Sequence, residues 1–276
     1  MREQTIKSFL LLAGSTFMLL FCLTPFAYMV LTSLSSNPYF LSTLDWFDFT
    51  LENYRAILTV PSLHFIDYLR NSLIVSTASA VFTIFIASLA AYCIARLVMP
   101  GKTFILFGVL AVSMFPQISL ISYLFKLMAD LGWVNTYAAL ILPYIAWTLP
   151  LSLWILVSYF VQIPPVLDKA GLIDGCSRWQ ILRKIILPTA APGIISTMLL
   201  AFIFAFNEFM FALMLTTDYH ARTIPVGIAL FQGLHGQTPW GNIMAASTFS
   251  TLPLVILALI FQRRIIQGLT RGAIKG

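Results

Sequence analysis

Six long apolar runs, separated by polar stretches that hold most of the charge, set the pattern of this chain. They lie at about Phe9 to Leu31, Ser72 to Val98, Phe104 to Leu127, Tyr137 to Val161, Gly193 to Thr216 and Ile243 to Phe261. A helix crosses the hydrocarbon core of a bilayer in roughly 20 residues, so each run predicts one spanning helix. Backbone polar groups in lipid must be satisfied within the segment, and the alternation of a membrane barrel is absent, which makes the expected fold class all-α integral membrane. Pro116, Pro143, Pro150 and Pro253 fall inside the runs and predict kinks within continuous helices.

Composition agrees with that pattern. The 276 residues are 59% hydrophobic and 9% charged, against about a quarter charged in ordinary soluble domains. Cys22, Cys93 and Cys176 lack disulfide or metal-site spacing. The net charge of +6 is not gathered into a basic face with interleaved aromatics, so nucleic acid is not an expected partner.

The basic residues read instead as topology. With a cytoplasmic N-terminus, the inner segments hold Arg2, Lys7, Arg96, Lys102, Lys169, Arg178, Arg183, Lys184, Arg263, Arg264, Arg271 and Lys275, twelve of the 16. Arg55, Arg70, Lys126 and Arg222 remain outside. Both termini are therefore expected in the cytoplasm. The first run follows Arg2 and Lys7 as a signal peptide would, but it is too long for one and lacks a small-x-small cleavage site, so a retained anchor is expected. Three polar regions then face outward: Thr32 to Arg70, a turn near Asp130 to Thr136, and Thr217 to Gly241. Asn37-Pro38, Pro61 and 233-GLHGQTP-239 mark turns in the two longer ones.

The longest polar interior segment on the inner side is Gln162 to Pro188. Pro164-Pro165 suits a helix start, and Leu167, Ala170, Gly171 and Asp174 recur at helical spacing on one face. Ala170 and Gly171 leave that face bare enough for a partner backbone to approach. Gly175 permits a sharp change of direction, and Ser177 with Gln180 fits the capping box of a second helix ending at Pro188. On spacing alone, an amphipathic connector at the membrane surface, anchored by Trp179 and Arg183-Lys184, is the simpler reading.

The same segment resembles the cytoplasmic coupling loop of ABC-importer permeases, whose pattern is E-A-A, two residues, D-G, then I-x-L-P. It maps onto Lys169-Ala170-Gly171, Asp174-Gly175 and Ile185-Ile186-Leu187-Pro188. The phrase 173-IDGCSRWQILRKIILP-188 is similar to the carbohydrate-uptake branch, in particular to the second, smaller permease of maltose-type transporters. Resemblance continues in 71-NSLIV-75, 89-LAAYCIAR-96 with Pro100-Gly101-Lys102, 135-NTYAALILPYI-145, Asn207-Glu208, 223-TIPVG-227 and 261-FQRRIIQGLTRGAIKG-276. It is weakest over the first 65 residues.

The resemblance implies a type I ABC-importer permease fold of six transmembrane helices in a prokaryotic cytoplasmic (inner) membrane. Residues 1–69 would form a first helix and external segment, 70–265 a five-helix core with coupling loop 162–188, and 266–276 a cytoplasmic tail. It also implies an ATPase-docking loop of Leu167, Asp168, Lys169, Ala170, Gly171, Asp174, Gly175, Ser177, Arg178 and Trp179, with tail contacts to the ATPase from Arg271 and Lys275. Expected partners are a second homologous permease, two ATP-binding ABC subunits that hold the ATP and magnesium, and an extracytoplasmic solute-binding protein delivering a di- or oligosaccharide. Glycerol phosphate or another small solute is the alternative cargo. Two positions depart from the pattern: the leading glutamate is Lys169, with an acid one place earlier at Asp168, and the second alanine is Gly171. Lys169 cannot pair with a basic residue on the ATPase, so either Asp168 takes its place or the partner surface differs.

No other segment suggests chemistry on this chain. Gly101-Lys102-Thr103 ends like a phosphate-binding loop, but that pattern needs a glycine where Arg96 stands, so no catalytic activity, cofactor or metal is expected. Asn207 and Glu208 lie within the fifth run, where an acid is expensive and faces either a pathway or a packing partner. A secondary carrier would show repeats and further intramembrane charges. His64, His220 and His235 sit in separate external segments and read as surface residues.

Overall fold

Hydropathy and proline placement decide which of the predicted helices run unbroken. The computed structural model describes the backbone of residues 2–36, 49–231 and 239–273, and the side chains of 7–36, 49–231 and 239–262. The Asn37-Pro38 turn and most of 233-GLHGQTP-239, including His235, lie outside the described residues. Among those described, the chain is helical apart from loops and one isolated antiparallel bridge, Ser35 with Phe49.

The helices are α1 (Arg2–Ser33), α2 (Glu52–Thr59), α3 (Phe65–Arg96), α4 (Lys102–Val112), α5 (Gln117–Asp130), α6 (Tyr137–Gln162), α7 (Val166–Ile173), α8 (Arg178–Ile181), α9 (Leu187–Thr189), α10 (Ala191–Phe206), α11 (Met210–Leu215), α12 (Ile224–Ala229) and α13 (Trp240–Ala273). Four stretches are long and apolar enough to cross a membrane unbroken: Lys7–Ser33, Pro61–Arg96, Tyr137–Gln162 and Trp240–Gln262. Pro143 and Pro150 inside α6, and Pro253 inside α13, are carried by continuous helix as expected.

Pro116 behaves differently. The third run is not one kinked helix but two, α4 and α5, meeting at 86°. Proline removes a donor and disfavours helical backbone at the residue before it. Here Ser113, Met114 and Phe115 close onto carbonyls three residues back, so α4 ends in a tightened turn. The fifth run is also divided. α10 bends by 80° from the preceding 178–189 segment and stops at Phe206. Its 16 residues make about 24 Å of helix, short of a roughly 30 Å core, and α11 continues the run after a break at 207–209.

The chain forms two compact units. One comprises Met1–Ile66 with Ile228–Leu252, the other Asp67–Gly227 with Pro253–Gly276. In the first, Asn53 donates to the carbonyls of Ser33 and Ser35, both at 2.9 Å, and Tyr54 shares a 2.7 Å hydrogen bond with Ser33. These bonds tie α2 to the end of α1, whose apolar side chains from Phe9 to Phe26 otherwise stand exposed.

In the second unit, α3, α6 and α10 pack around small residues. A Cβ on Gly193 would lie 2.5 Å from the Tyr159 ring, so α10 approaches α6 as closely as glycine allows. Ser72, Ser76, Ser79 and Thr83 form a buried stripe on α3, and Thr83 meets Thr148 of α6 at 2.9 Å. Such small, polar helix contacts suit packing in lipid, where apolar burial gives little drive. Apolar clusters flank the stripe at both ends: Tyr92, Phe160 and Ile181 in one, Val75, Tyr144 and Phe211 in the other.

Candidate functional site

The 162–188 loop folds as the sequence predicts, with each local feature bonded. α7 begins after Pro164-Pro165 and ends at Ile173, and the chain turns away at Gly175, whose φ is +77°. The Cys176 amide donates to Gly171 O at 2.8 Å and the Gly175 amide to Leu172 O at 3.1 Å, the paired closure of a Schellman motif. The Ser177 hydroxyl then accepts from the Gln180 amide at 3.3 Å while the Ser177 amide donates to the Gln180 side chain at 2.7 Å, completing the capping box that starts α8. Residues Leu182–Ile186 continue as one π turn before α9.

The face predicted to be bare toward a partner is divided. Gly171 is buried, and a Cβ there would stand 3.0 Å from both Ile181 and Ile185. Its missing side chain therefore lets α7 lie on the chain's own second helix. Leu167 is half-buried beside it, while Ala170 and Asp174 point outward. The outward surface carries Lys169, Asp174, Ser177 and Arg178 around apolar Leu172, Ile173 and Trp179. Ile173 is 85% exposed, and with the exposed Leu172 and Trp179 it makes an apolar patch on this surface.

Asp168, the acid neighbouring Lys169, is 8% exposed. Its Oδ2 lies 3.6 Å from Nη1 of Arg96 at the end of α3, and Nη2 of the same arginine donates to Ile163 O at 2.6 Å. Asp168 thus faces into the chain, and Lys169 stands outside with no ion pair among the described residues. The pairing spans 72 positions of sequence and leaves no local signal.

Asn207 and Glu208 both serve the break between α10 and α11. Asn207 is exposed and donates to Ile203 O at 2.8 Å. Glu208 is buried, and its two oxygens accept the Phe211 amide at 2.8 Å and the Ala212 amide at 3.1 Å, satisfying donors that a helix start leaves unpaired. Tyr144 lies near this carboxylate and Thr223 near Tyr144, though the tyrosine hydroxyl reaches neither in hydrogen-bonding geometry. The Arg271 side chain and Lys275 fall outside the described residues.

A second polar centre escaped the sequence reading as a site. Asn71 on α3 is fully buried. Its amide donates to the carbonyls of Tyr219 at 2.8 Å and Arg222 at 2.9 Å, and its oxygen accepts from the Tyr137 hydroxyl at 2.6 Å. Ser72 accepts from the Ile224 amide at 2.7 Å. Asn135, held at φ +63°, donates to Asp218 at 2.8 Å and accepts from the Thr217 and Asp218 amides. Asp218 also accepts from the His220 amide at 2.8 Å. These bonds, Asn135 foremost, lower the Asp218 carboxyl to about 2. Three motifs separated in sequence, 71-NSLIV-75, 135-NTYAALILPYI-145 and 223-TIPVG-227, therefore meet in one hydrogen-bonded knot that fixes the 217–227 segment.

The arrangement has relatives throughout its length. The chain is 57% identical, over the whole of both chains, to the trehalose/maltose transport system permease protein MalG of Thermococcus litoralis. It is 42% identical to the trehalose transport system permease protein SugB of Mycobacterium tuberculosis, over 82% of each chain. It is 40% identical to the sulfoquinovosyl glycerol permease SmoH of Agrobacterium fabrum, over 92% of this chain and 89% of that one. The fold matches a chain of a bacterial ABC transporter involved in import of the acidic polysaccharide alginate, with a TM-score of 0.81 at 19% identity, covering 95% of this chain and 98% of the other. A chain of a bacterial alginate ABC transporter in complex with an alginate pentasaccharide-bound periplasmic protein matches with a TM-score of 0.69 at 17% identity, over 94% of this chain and 93% of that one. Residues 83–271 match the family described as binding-protein-dependent transport system inner membrane component. With that span and a full-length relative at more than half identity, the chain belongs to this family, as a transport subunit and not an enzyme.

Proposed function

We propose that this chain is a permease subunit of a binding-protein-dependent ABC importer for a di- or oligosaccharide, in a prokaryotic inner membrane. It forms half of the translocation pathway together with a second, homologous permease. The observation that carries the sugar reading is full-length identity of 57% to a trehalose/maltose permease, with a trehalose permease and a sulfoquinovosyl glycerol permease also at 40% or above.

In this reading the chain crosses the membrane six times with both termini inside, the bent α4–α5 stretch and the interrupted α10–α11 stretch each contributing one crossing. The distribution of Lys and Arg supports that orientation. The 162–188 loop docks on a separate ATPase through Lys169, Asp174, Arg178 and the exposed Leu172, Ile173 and Trp179. Its capped helices and Schellman turn give it the stiffness a lever needs. Closure of the ATPases on nucleotide shifts this lever, and the attached helices turn the pathway outward to receive sugar from the solute-binding protein. The knot around Asn71, Asn135 and Asp218 holds the external segment that meets this protein. The tail beyond Arg271 adds a second contact to the ATPases.

The test is co-purification of the assembled transporter with Gly175→Val. A β-branched residue at φ +77° is strained whatever the space around it. The variant should reach the membrane but lose its ATPases. Uptake of sugar by this chain alone, without ATP, would overturn the proposal.

A further inference from the structure

The buried charge pair at the base of the loop has no part in the docking surface, which faces the other way. Arg96 is the last residue of α3, and its guanidinium touches two further elements. Nη2 donates to Ile163 O at the end of α6, and Nη1 lies 3.6 Å from Asp168 in the first turn of α7. The side chains are 5% and 11% exposed. Neither Asp168 oxygen has a hydrogen bond, nor does Arg96 Nε. Charges this far from water are retained at a cost unless they stay together, yet a fully formed pair of this kind closes to about 2.7–2.9 Å with hydrogen bonds. The contact is therefore attractive but not closed, with room to tighten by a fraction of an ångström.

We propose that Arg96 is a positioning residue whose attraction to Asp168 makes the docking helix α7 travel with α3 and the end of α6. This rests on the docking reading of the loop. Apolar packing alone, such as that of Leu167 on the Phe160 and Ile181 cluster, lets two helices slide. A buried ion pair does not, because parting the charges exposes each to a medium that solvates it poorly. The pair acts as a latch: a push on α7 reaches α3, whose buried Ser72 to Thr83 stripe packs deeper in the same unit. Asp168 thus transmits force within the chain, and contact with the ATPase falls to its outward neighbours.

The test uses the complete transporter in proteoliposomes with its solute-binding protein, reading sugar delivered per ATP hydrolysed in complexes that retain their ATPases. Arg96→Gln and Asp168→Asn should each lower that ratio at least about fivefold, in the range of couplings between contacting residues, and Arg96→Lys should recover most of it. Each single variant leaves a buried charge alone and can impair folding, so the double variant Arg96→Gln/Asp168→Asn decides. With both charges gone it should assemble like the wild type and still be uncoupled. A double variant with the wild-type ratio overturns the latch. Ile173→Asp separates the underlying reading: it should strip the ATPases from the complex, and their retention rejects docking through this loop.

Discussion

Replacing Asn71 by Ala should loosen the 217–227 segment by an amount that can be reckoned bond by bond. The fully buried side chain makes three hydrogen bonds, to Tyr219 O, Arg222 O and the Tyr137 hydroxyl. Hydrogen bonds between helices of membrane proteins average about 0.6 kcal/mol, and those inside soluble proteins about 1 kcal/mol. Truncation also leaves two carbonyls and a hydroxyl facing a cavity. The sum is about 2–4 kcal/mol, the low end applying if water enters. Tyr137→Phe removes one of the three bonds and should cost about 0.6–1.5 kcal/mol. Equilibrium unfolding in mixed micelles measures both, and amide exchange at Ile224, whose N–H is held by the adjacent Ser72, reports the local effect. In the Tyr137→Phe background, Asn71→Ala should cost less by the value of the shared bond. A loss under about 0.5 kcal/mol for Asn71→Ala, or equal losses for the two single variants, would refute the additive reasoning.

Two further outcomes follow from the polar groups nearby. Asp218 is lowered to about 2, below the roughly 3.9 of an unfolded aspartate, so its contribution is complete above that value and is lost as pH falls toward 2. Protection factors at Thr217 and His220 should therefore hold from neutral pH to about 4 and decline below it, and Asp218→Asn should abolish the decline; a fall beginning near pH 6 would contradict this. For Glu208, Ala should cost about 1–2 kcal/mol as a lost helix cap, whereas Gln, which keeps one acceptor, should melt close to the wild type and still transport. A Glu208→Gln variant of normal stability but with more than about tenfold slower uptake would assign the carboxylate to the pathway instead.

Local chemistry was the readable part of this sequence. Gly175 and the Ser177 to Gln180 box act within four residues of themselves, and both stand as expected. Long apolar runs likewise found their helices, because hydropathy is a local sum. What failed to read out was direction. Helical spacing places Gly171 and Ala170 near one face but does not tell which side is covered, and Gly171 turned inward onto Ile181. Pro116 was expected to bend a helix and instead ended it, since the three residues before it found tightened-turn partners that composition does not encode. The Asn71 knot and the Arg96 to Asp168 contact join residues 66 to 152 positions apart. Their motifs stood out as resemblances, but only the fold brings Tyr137 to Asn71 and Asp168 to Arg96.

The π turn at Leu182–Ile186 fixes an angular relation. Such a turn holds one residue more than its α-helical equivalent, and each helical residue advances the chain by about 100°. The π turn takes up that extra residue without turning the helix behind it, whereas deleting a residue from the α-helical Arg178–Ile181 would swing the entry to α10 round by about that angle, carrying Gly193 away from the Tyr159 ring it must pass. Sequence length between Ser177 and Pro188 is thus a phase setting. Substitutions can be absorbed there, but insertions and deletions retime the whole connection between the loop and the helix behind it.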